Sequence, residues 1–295
     1  MRPEAMLLDR RGLIVAGAAL AVSNPALAAP APFAEIERRA KGVLGVSVLD
    51  VRTGRRLSYR ADQRFPMCST FKLMLAASVL ARVDAGHESL DRRVAYTQAD
   101  LLEYAPTTRA HVAEGSMALG DLCIAAIQLS DNTAANLILR ETGGPAALTA
   151  WLRSIGDPMT RLDNTEPRLN VWVTGEVHDT TTPAAMTASM QRVLLGGVLA
   201  PASRARLVEW MSGTTTGLKK IRLGVPASWR EGDKTGSWSN AAIGTSNDIA
   251  ILWPPKGGPI IVCAYLALAA VPSEQRDAAL ADVGRVIAGA FPDRG

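Results

Sequence analysis

Apolar residues recur at helical spacing through the middle of this chain and alternate, strand-like, near both of its ends. Residues 34–42 read as a short helix. Residues 45–50 alternate as a strand, turn at Thr53-Gly54 and return through 57–59 as a hairpin. The centre then carries helical periodicity over 69–85, 119–129, 133–139, 145–155, 183–195 and 201–211. Pro145, Pro183 and Pro201 open three of these helices, and Gly143-Gly144, Gly156 and Gly196-Gly197 act as stops. Beyond Gly224 the strand pattern resumes at 234–238, 248–253 and 259–267, and 274–290 closes the chain as an amphipathic helix. The pattern predicts a mixed α/β (α+β) fold. A five-stranded antiparallel sheet, the hairpin plus the three late strands, is flanked by the terminal helices and packs against an all-helical domain. Residues 29–64 and 215–295 then form the sheet domain, and 65–214 the helical one. Within the latter, 161–182 holds Pro167 and Gly175 and little periodicity; it reads as a long ordered loop, and such loops are usually functional.

Composition narrows the function. A chain of 295 residues with 48% hydrophobic and 20% charged residues is an ordinary globular protein with a large core. Its net charge of +4 is modest, and no Lys/Arg run is interleaved with aromatics, which argues against a nucleic-acid partner. Arg10-Arg11 precede an apolar run over 13–22, and Ala26-Leu27-Ala28 offers small residues to a signal peptidase. Residues 1–28 are therefore expected to be a cleavable signal that sends the protein to the periplasm or outside the cell. The run is too short to span a bilayer. The arginine pair resembles a twin-arginine signal, and that route and ordinary secretion both stay open. With no Cys near the cleavage point, stable membrane association is not expected, and nothing points to an oligomer, so a monomer is expected. Cys123 and Cys263 lie in apolar stretches and read as buried, while Cys68 directly precedes Ser69. His87, His111 and His178 are scattered, giving neither a metal site nor a Ser-His-Asp triad. No metal or cofactor is called for, and the base for any catalytic serine must be something other than histidine.

Three short strings supply the chemistry. Ser69-Thr70-Phe71-Lys72 places a hydroxyl and an amine three residues apart at a helix start, on one face. Alone it is a weak signal, since Ser-x-x-Lys is expected roughly once per chain of this size and a lone Ser69 would be read as a helix cap. Ser130-Asp131-Asn132 and Lys234-Thr235-Gly236 are each expected in only about one chain in twenty. The three together, in this order, make a strong signal. A half-buried Lys72 loses proton affinity and can take or relay the proton of Ser69. Ser130 is assigned as proton carrier to a leaving nitrogen, and Asn132 as the amide holding Lys72 and a substrate carbonyl. Asp131 reads as structural. Lys234 and Thr235 suit a substrate carboxylate, and Gly236 allows close approach of a substrate to the strand. The N–H groups of Ser69 and Ser237 form the oxyanion pair.

This combination resembles the class A serine β-lactamases, across the whole mature chain, in motif order, spacing and helical centre. The stretch 161–170, Arg-Leu-Asp-Asn-Thr-Glu-Pro-Arg-Leu-Asn, resembles the omega loop of that family. The resemblance makes Glu166 the deacylation base, Asn170 the partner of its water and Tyr104 the aromatic at the cleft mouth. It implies hydrolysis of penicillins and cephalosporins through a serine acyl-enzyme, a small-molecule β-lactam substrate and antibiotic resistance. Several departures accompany it. Asn164 stands where relatives often have an Arg paired to the residue here numbered Asp179, leaving Arg161 or Arg168 to compensate. Cys68 meets Trp238 where some relatives have a second Cys. The stretch 238–245 is about three residues longer than the resemblance leads one to expect. No Arg precedes Asn247, so Lys220 or Arg222 is left to assist carboxylate binding. A transpeptidase or carboxypeptidase would share the three strings but lacks the omega-loop base; a β-lactam-binding receptor would need an anchor or output domain; a serine amidohydrolase would not call for Lys-Thr-Gly opposite Glu166.

Overall fold

The computed structural model describes residues 31–292; the expected signal segment lies outside them. In chain order come α1 (Ala31–Ala40), β1 (Val43–Asp50), β2 (Arg56–Tyr59), β3 (Phe65–Pro66), α2 (Phe71–Asp84), β4 (Arg93–Ala95), α3 (Pro106–Ala110), β5 (Ser116–Ala118), α4 (Leu119–Gln128), α5 (Asn132–Thr142) and α6 (Gly144–Ser154). After a long loop follow β6 (Thr180–Thr181), α7 (Pro183–Leu194), α8 (Pro201–Ser212), α9 (Ile221–Gly224), β7 (Arg230–Ser239), β8 (Gly244–Trp253), β9 (Ile260–Ala269) and α10 (Ser273–Ala290). Five strands form one antiparallel sheet in the order β2-β1-β9-β8-β7, as the hairpin and late-strand patterns predict.

The strand β9 shows why the sheet sits at the middle of the molecule. Ile260, Val262, Ala264 and Leu266 join a cluster with Phe33 and Ile36 of α1 and Leu280, Val283 and Ile287 of α10. The alternate residues Ile261, Cys263 and Tyr265 join the larger cluster built on α2, α4, α5 and α7. With a period of two, both faces are apolar, so the sequence reads as a near-continuous hydrophobic run. Each buried Leu or Ile here contributes roughly 1.5–3 kcal/mol.

The helical centre is not purely helical. β3 pairs with β6 and β4 with β5, each too short to leave a period in the sequence. The loop of 161–182 contains a 3₁₀ turn, Arg168–Asn170. The long stretch 238–245 extends the β7–β8 ladder to Ser239 and Gly244 and closes on the Asn240 side chain, which accepts from the N–H groups of Ala242 and Ile243. β7 is an edge strand of the sheet, and the three strings meet beside it.

Candidate active site

Ser69 does not cap a helix. It lies in a 3₁₀ turn, Cys68–Thr70, that runs into α2, and no side chain caps either element. Cys68 takes a left-handed backbone (φ 45°), a conformation costing a non-glycine residue on the order of 1–2 kcal/mol. The turn is held from the sheet. Asn247 of β8 donates from Nδ2 to the carbonyls of Pro66 (2.9 Å) and Met67 (3.1 Å). Gly236 is required by the same packing. A Cβ there would lie 2.7 Å from the Met67 carbonyl oxygen and 3.2 Å from the Ser69 nitrogen. The nucleophile's own backbone thus approaches Gly236 closely, a demand for glycine beyond the substrate approach expected from the sequence.

Lys72 is the hub. It is fully buried, and its Nζ donates to Asn132 Oδ1 (2.6 Å) and the Ser130 carbonyl (2.9 Å) and lies 3.1 Å from Glu166 Oε1. Burial pushes its pKa below the ordinary lysine value, with Glu166 opposing. Ser130, itself left-handed (φ 58°), sets its hydroxyl between two buried amines, 3.1 Å from Lys234 Nζ and 3.5 Å from Lys72 Nζ. Burial, reinforced by the nearby Lys72, lowers Lys234 well below its usual value. Asp131 builds the frame: its carboxylate caps α5 at Ala134 and accepts from the N–H groups of Thr107 and Thr108. Tyr104, half exposed, hangs from that frame, its carbonyl accepting from the Asn132 N–H.

Glu166 is 3% exposed and turned inward. The Ser69 hydroxyl donates to its Oε1 at 3.3 Å, so this carboxylate stands in place to accept the serine proton. Asn170 Nδ2 donates to Oε2 at 2.6 Å, while Asn170 Oδ1 is buried without a protein partner. Asn136, one turn after Asn132 on α5, brackets the Glu166 backbone: its Oδ1 accepts from the Glu166 N–H and its Nδ2 donates to the Glu166 carbonyl, both at 2.9 Å. The loop neck needs no arginine. Asn164 Nδ2 donates to Asp179 Oδ2 (2.6 Å), and the N–H groups of Asp163 and Asn164 share Asp179 Oδ1. Arg161 pairs with Asp163, and Arg168 is exposed.

On β7, Thr235 Oγ1 meets Thr216 Oγ1 at 2.6 Å and exposed Ser237 accepts from Lys220 Nζ at 3.1 Å. Of the two candidate cations, Lys220 therefore stands at the cleft, while Arg222 turns away to Glu231 and Asp233. Cys68, Cys123 and Cys263 are buried and free, and no group of His, Cys, Asp and Glu able to hold a metal occurs among the described residues.

Ser69, Lys72, Ser130, Asn132, Glu166, Asn170 and Lys234 form one bonded cluster, with Thr235, Gly236 and Ser237 along its edge and half-exposed Tyr104 joined to it through the Asn132 N–H. Sequence reasoning missed Asn136, Asn247 and Thr216. The spacing of four from Asn132 is the signal that could have found Asn136; nothing in the local sequence marks the other two.

A serine, two buried amines and an inward carboxylate, with no histidine, define a serine hydrolase of acyl-transfer type. Residues 31–291 match the model of the beta-lactamase enzyme family, and the chain belongs to that family. It is a class A serine β-lactamase. It is 50% identical over 270 residues to beta-lactamase L2 of Stenotrophomonas maltophilia, covering 91% of this chain and 88% of that one. It is 42% identical to a carbapenem-hydrolyzing beta-lactamase KPC of Klebsiella oxytoca, over 86% of each chain. Among solved structures, an ancestral class A beta-lactamase superposes with a TM-score of 0.84 at 57% identity, covering 88% of this chain and 98% of that one.

Proposed function

We propose that this β-lactamase opens the lactam amide of penicillins and cephalosporins in two half-reactions on Ser69, and that Glu166 is the base in both. The observation that carries this is the Ser69 Oγ–Glu166 Oε1 contact of 3.3 Å at a buried carboxylate. In the first half, the Ser69 oxygen attacks the lactam carbonyl as its proton passes to Glu166. The N–H groups of Ser69 and Ser237 receive the oxyanion. Glu166 passes the serine proton to Lys72, 3.1 Å away, and Ser130, resupplied by Lys72, gives its own proton to the departing nitrogen, so Glu166 is a carboxylate again for the second half. Lys72 also holds Asn132, whose amide receives the substrate's side-chain carbonyl. In the second half, Glu166 takes a proton from a water that Asn170 Oδ1 helps to orient, that water attacks the ester carbonyl, and the proton returns from Glu166 to the departing Ser69 oxygen. Lys234, Thr235 and Ser237 receive the substrate carboxylate, assisted by Lys220, and Tyr104 covers the cleft mouth.

The test is mass spectrometry of intact protein. Glu166→Ala should still acylate measurably and then retain the adduct, with deacylation slowed about 10²–10⁴-fold, the usual contribution of a general base. An adduct that clears at the parental rate would remove Glu166 from that role. Ser69→Ala should form no adduct. We further propose that residues 1–28 are cleaved on export and that the mature protein works as a monomer in the periplasm or outside the cell; N-terminal sequencing and light scattering of secreted material check both.

A further inference from the structure

The segment between α8 and β7 lies as a strap along the edge of the sheet, on the face that α10 covers. Three tethers hold it there. Thr214 Oγ1 donates to the Asp233 carbonyl (2.9 Å), the Thr216 and Thr235 hydroxyls meet, and the Ile221 N–H donates to Asp248 Oδ2 at 3.1 Å. The strap has no slack. A Cβ on Gly217 would overlap the Asp233 carboxylate, and one on Gly224 would overlap the Ala281 carbonyl.

Lys220 sits one residue before the Asp248 tether. Its side chain is 3% exposed, and Nζ donates to Ser246 Oγ (2.7 Å) and Ser237 Oγ (3.1 Å). Asp277 of α10 holds it from the far side, 3.4 Å from Nζ, and accepts from Ser246 Oγ at 2.8 Å. A hydroxyl that accepts from a buried cation has its own hydrogen left to donate. Ser237 is exposed, and with its oxygen engaged by Lys220 its O–H is free to donate to a substrate carboxylate at the cleft. Asp248 is fully buried, and burial raises its pKa well above the ordinary carboxylate value, so its hold on the strap is the bond it accepts from the Ile221 N–H rather than its charge.

We infer that Asp248 and Asp277 are positioning residues for substrate recognition: Asp248 pins the strap at Ile221, next to Lys220, Asp277 holds the Lys220 amine, and Lys220 in turn aims the Ser237 hydroxyl at the substrate carboxylate. The inference rests on the proposal that Lys220 assists at that carboxylate. Neither acid touches substrate.

The experiment compares kcat/KM for benzylpenicillin with that for its methyl ester, which lacks the carboxylate charge. Lys220→Ala should lower this discrimination about tenfold, the scale of one charge-assisted hydrogen bond. Asp248→Ala should lower it about fivefold through KM, leaving kcat for benzylpenicillin within about twofold, and the double variant should fall no further than Lys220→Ala. Asp277→Asn, at the surface of α10, should lower it about threefold with the same non-additivity, and keeps the inference testable should the buried variant fail to fold. Unchanged discrimination in both Asp variants, or losses that add to that of Lys220→Ala, would overturn the inference alone. Discrimination that survives Lys220→Ala would overturn the carboxylate role of Lys220 and the inference with it.

Discussion

Burial shifts the two amines at the heart of this cleft in the same direction. Lys72 and Lys234 have lost their water, and both amines are pushed toward the neutral form that a proton relay through Ser130 uses. Behind β7 the same force acts on acids. Asp233 is buried against Asp248 of β8, Lys220 and Arg222 of the strap, and Glu231 and Lys234 of its own strand. Burial raises its pKa from 3.8 to about 6 despite the pull of Arg222 and Lys234. The folded protein thus holds a proton that the unfolded chain releases earlier. The stability contributed by Asp233 is complete below pH 3.8 and is lost as pH rises through about 6. Asp233→Asn fixes the neutral form, so its melting temperature relative to the parent should rise between pH 5 and pH 7.5. Thermal unfolding at the two pH values checks this; an offset that is constant or shrinks would refute it.

At the scale of elements, the omega loop shows how a lost ion pair is replaced. Asp179, left-handed at φ 56°, gathers two backbone N–H groups and the Asn164 amide, and its own N–H donates to Asp163 Oδ2. Asn164→Ala removes one of these bonds, about 1 kcal/mol, whereas Asp179→Ala strands two N–H donors, about 2–4 kcal/mol. The loop carries Glu166, so Asp179→Ala should also slow deacylation, and Asn164→Ala far less. Denaturant unfolding and single-turnover kinetics separate the two; equal effects would mean that the neck is held elsewhere. The loop's existence was legible in residues 161–182, because Pro167, Gly175 and the absent period mark it. Its closure was not. An amide at 164 and an acid at 179 meet only once β6 has paired with β3, and a two-residue strand leaves no pattern. The same limit hid the 3₁₀ turn under Ser69, which shares the apolar spacing of α2 and so reads as its first turn.

Over the whole molecule, the two apolar clusters lie on opposite faces of one sheet, and the reacting groups come from both ends of the chain. The long elements were legible because burying each face of that sheet imposes a period on every strand and helix that touches it. Contacts across the seam carry no such period. Asn247 is the plainest case: a polar residue in a buried strand whose amide reaches 180 positions back to Met67 and 181 back to Pro66. No local pattern could announce it. It is nonetheless the sheet's grip on the nucleophile turn, alongside the contact of Gly236 with the Ser69 nitrogen. Asn247→Ala would remove this donor from the Pro66 carbonyl and leave the Met67 carbonyl only its bonds from Thr70, destabilising the protein by about 1–3 kcal/mol. The chemistry should suffer beyond that loss. With the turn free to shift by a few tenths of an ångström, Ser69 leaves its alignment with Glu166, and kcat/KM should fall on the order of 10²-fold at temperatures where the variant is fully folded. Equilibrium unfolding in urea gives the first quantity and steady-state kinetics the second. A variant that lost stability but kept parental kcat/KM would show that the Ser69 turn holds its geometry from within the helical side, without the sheet.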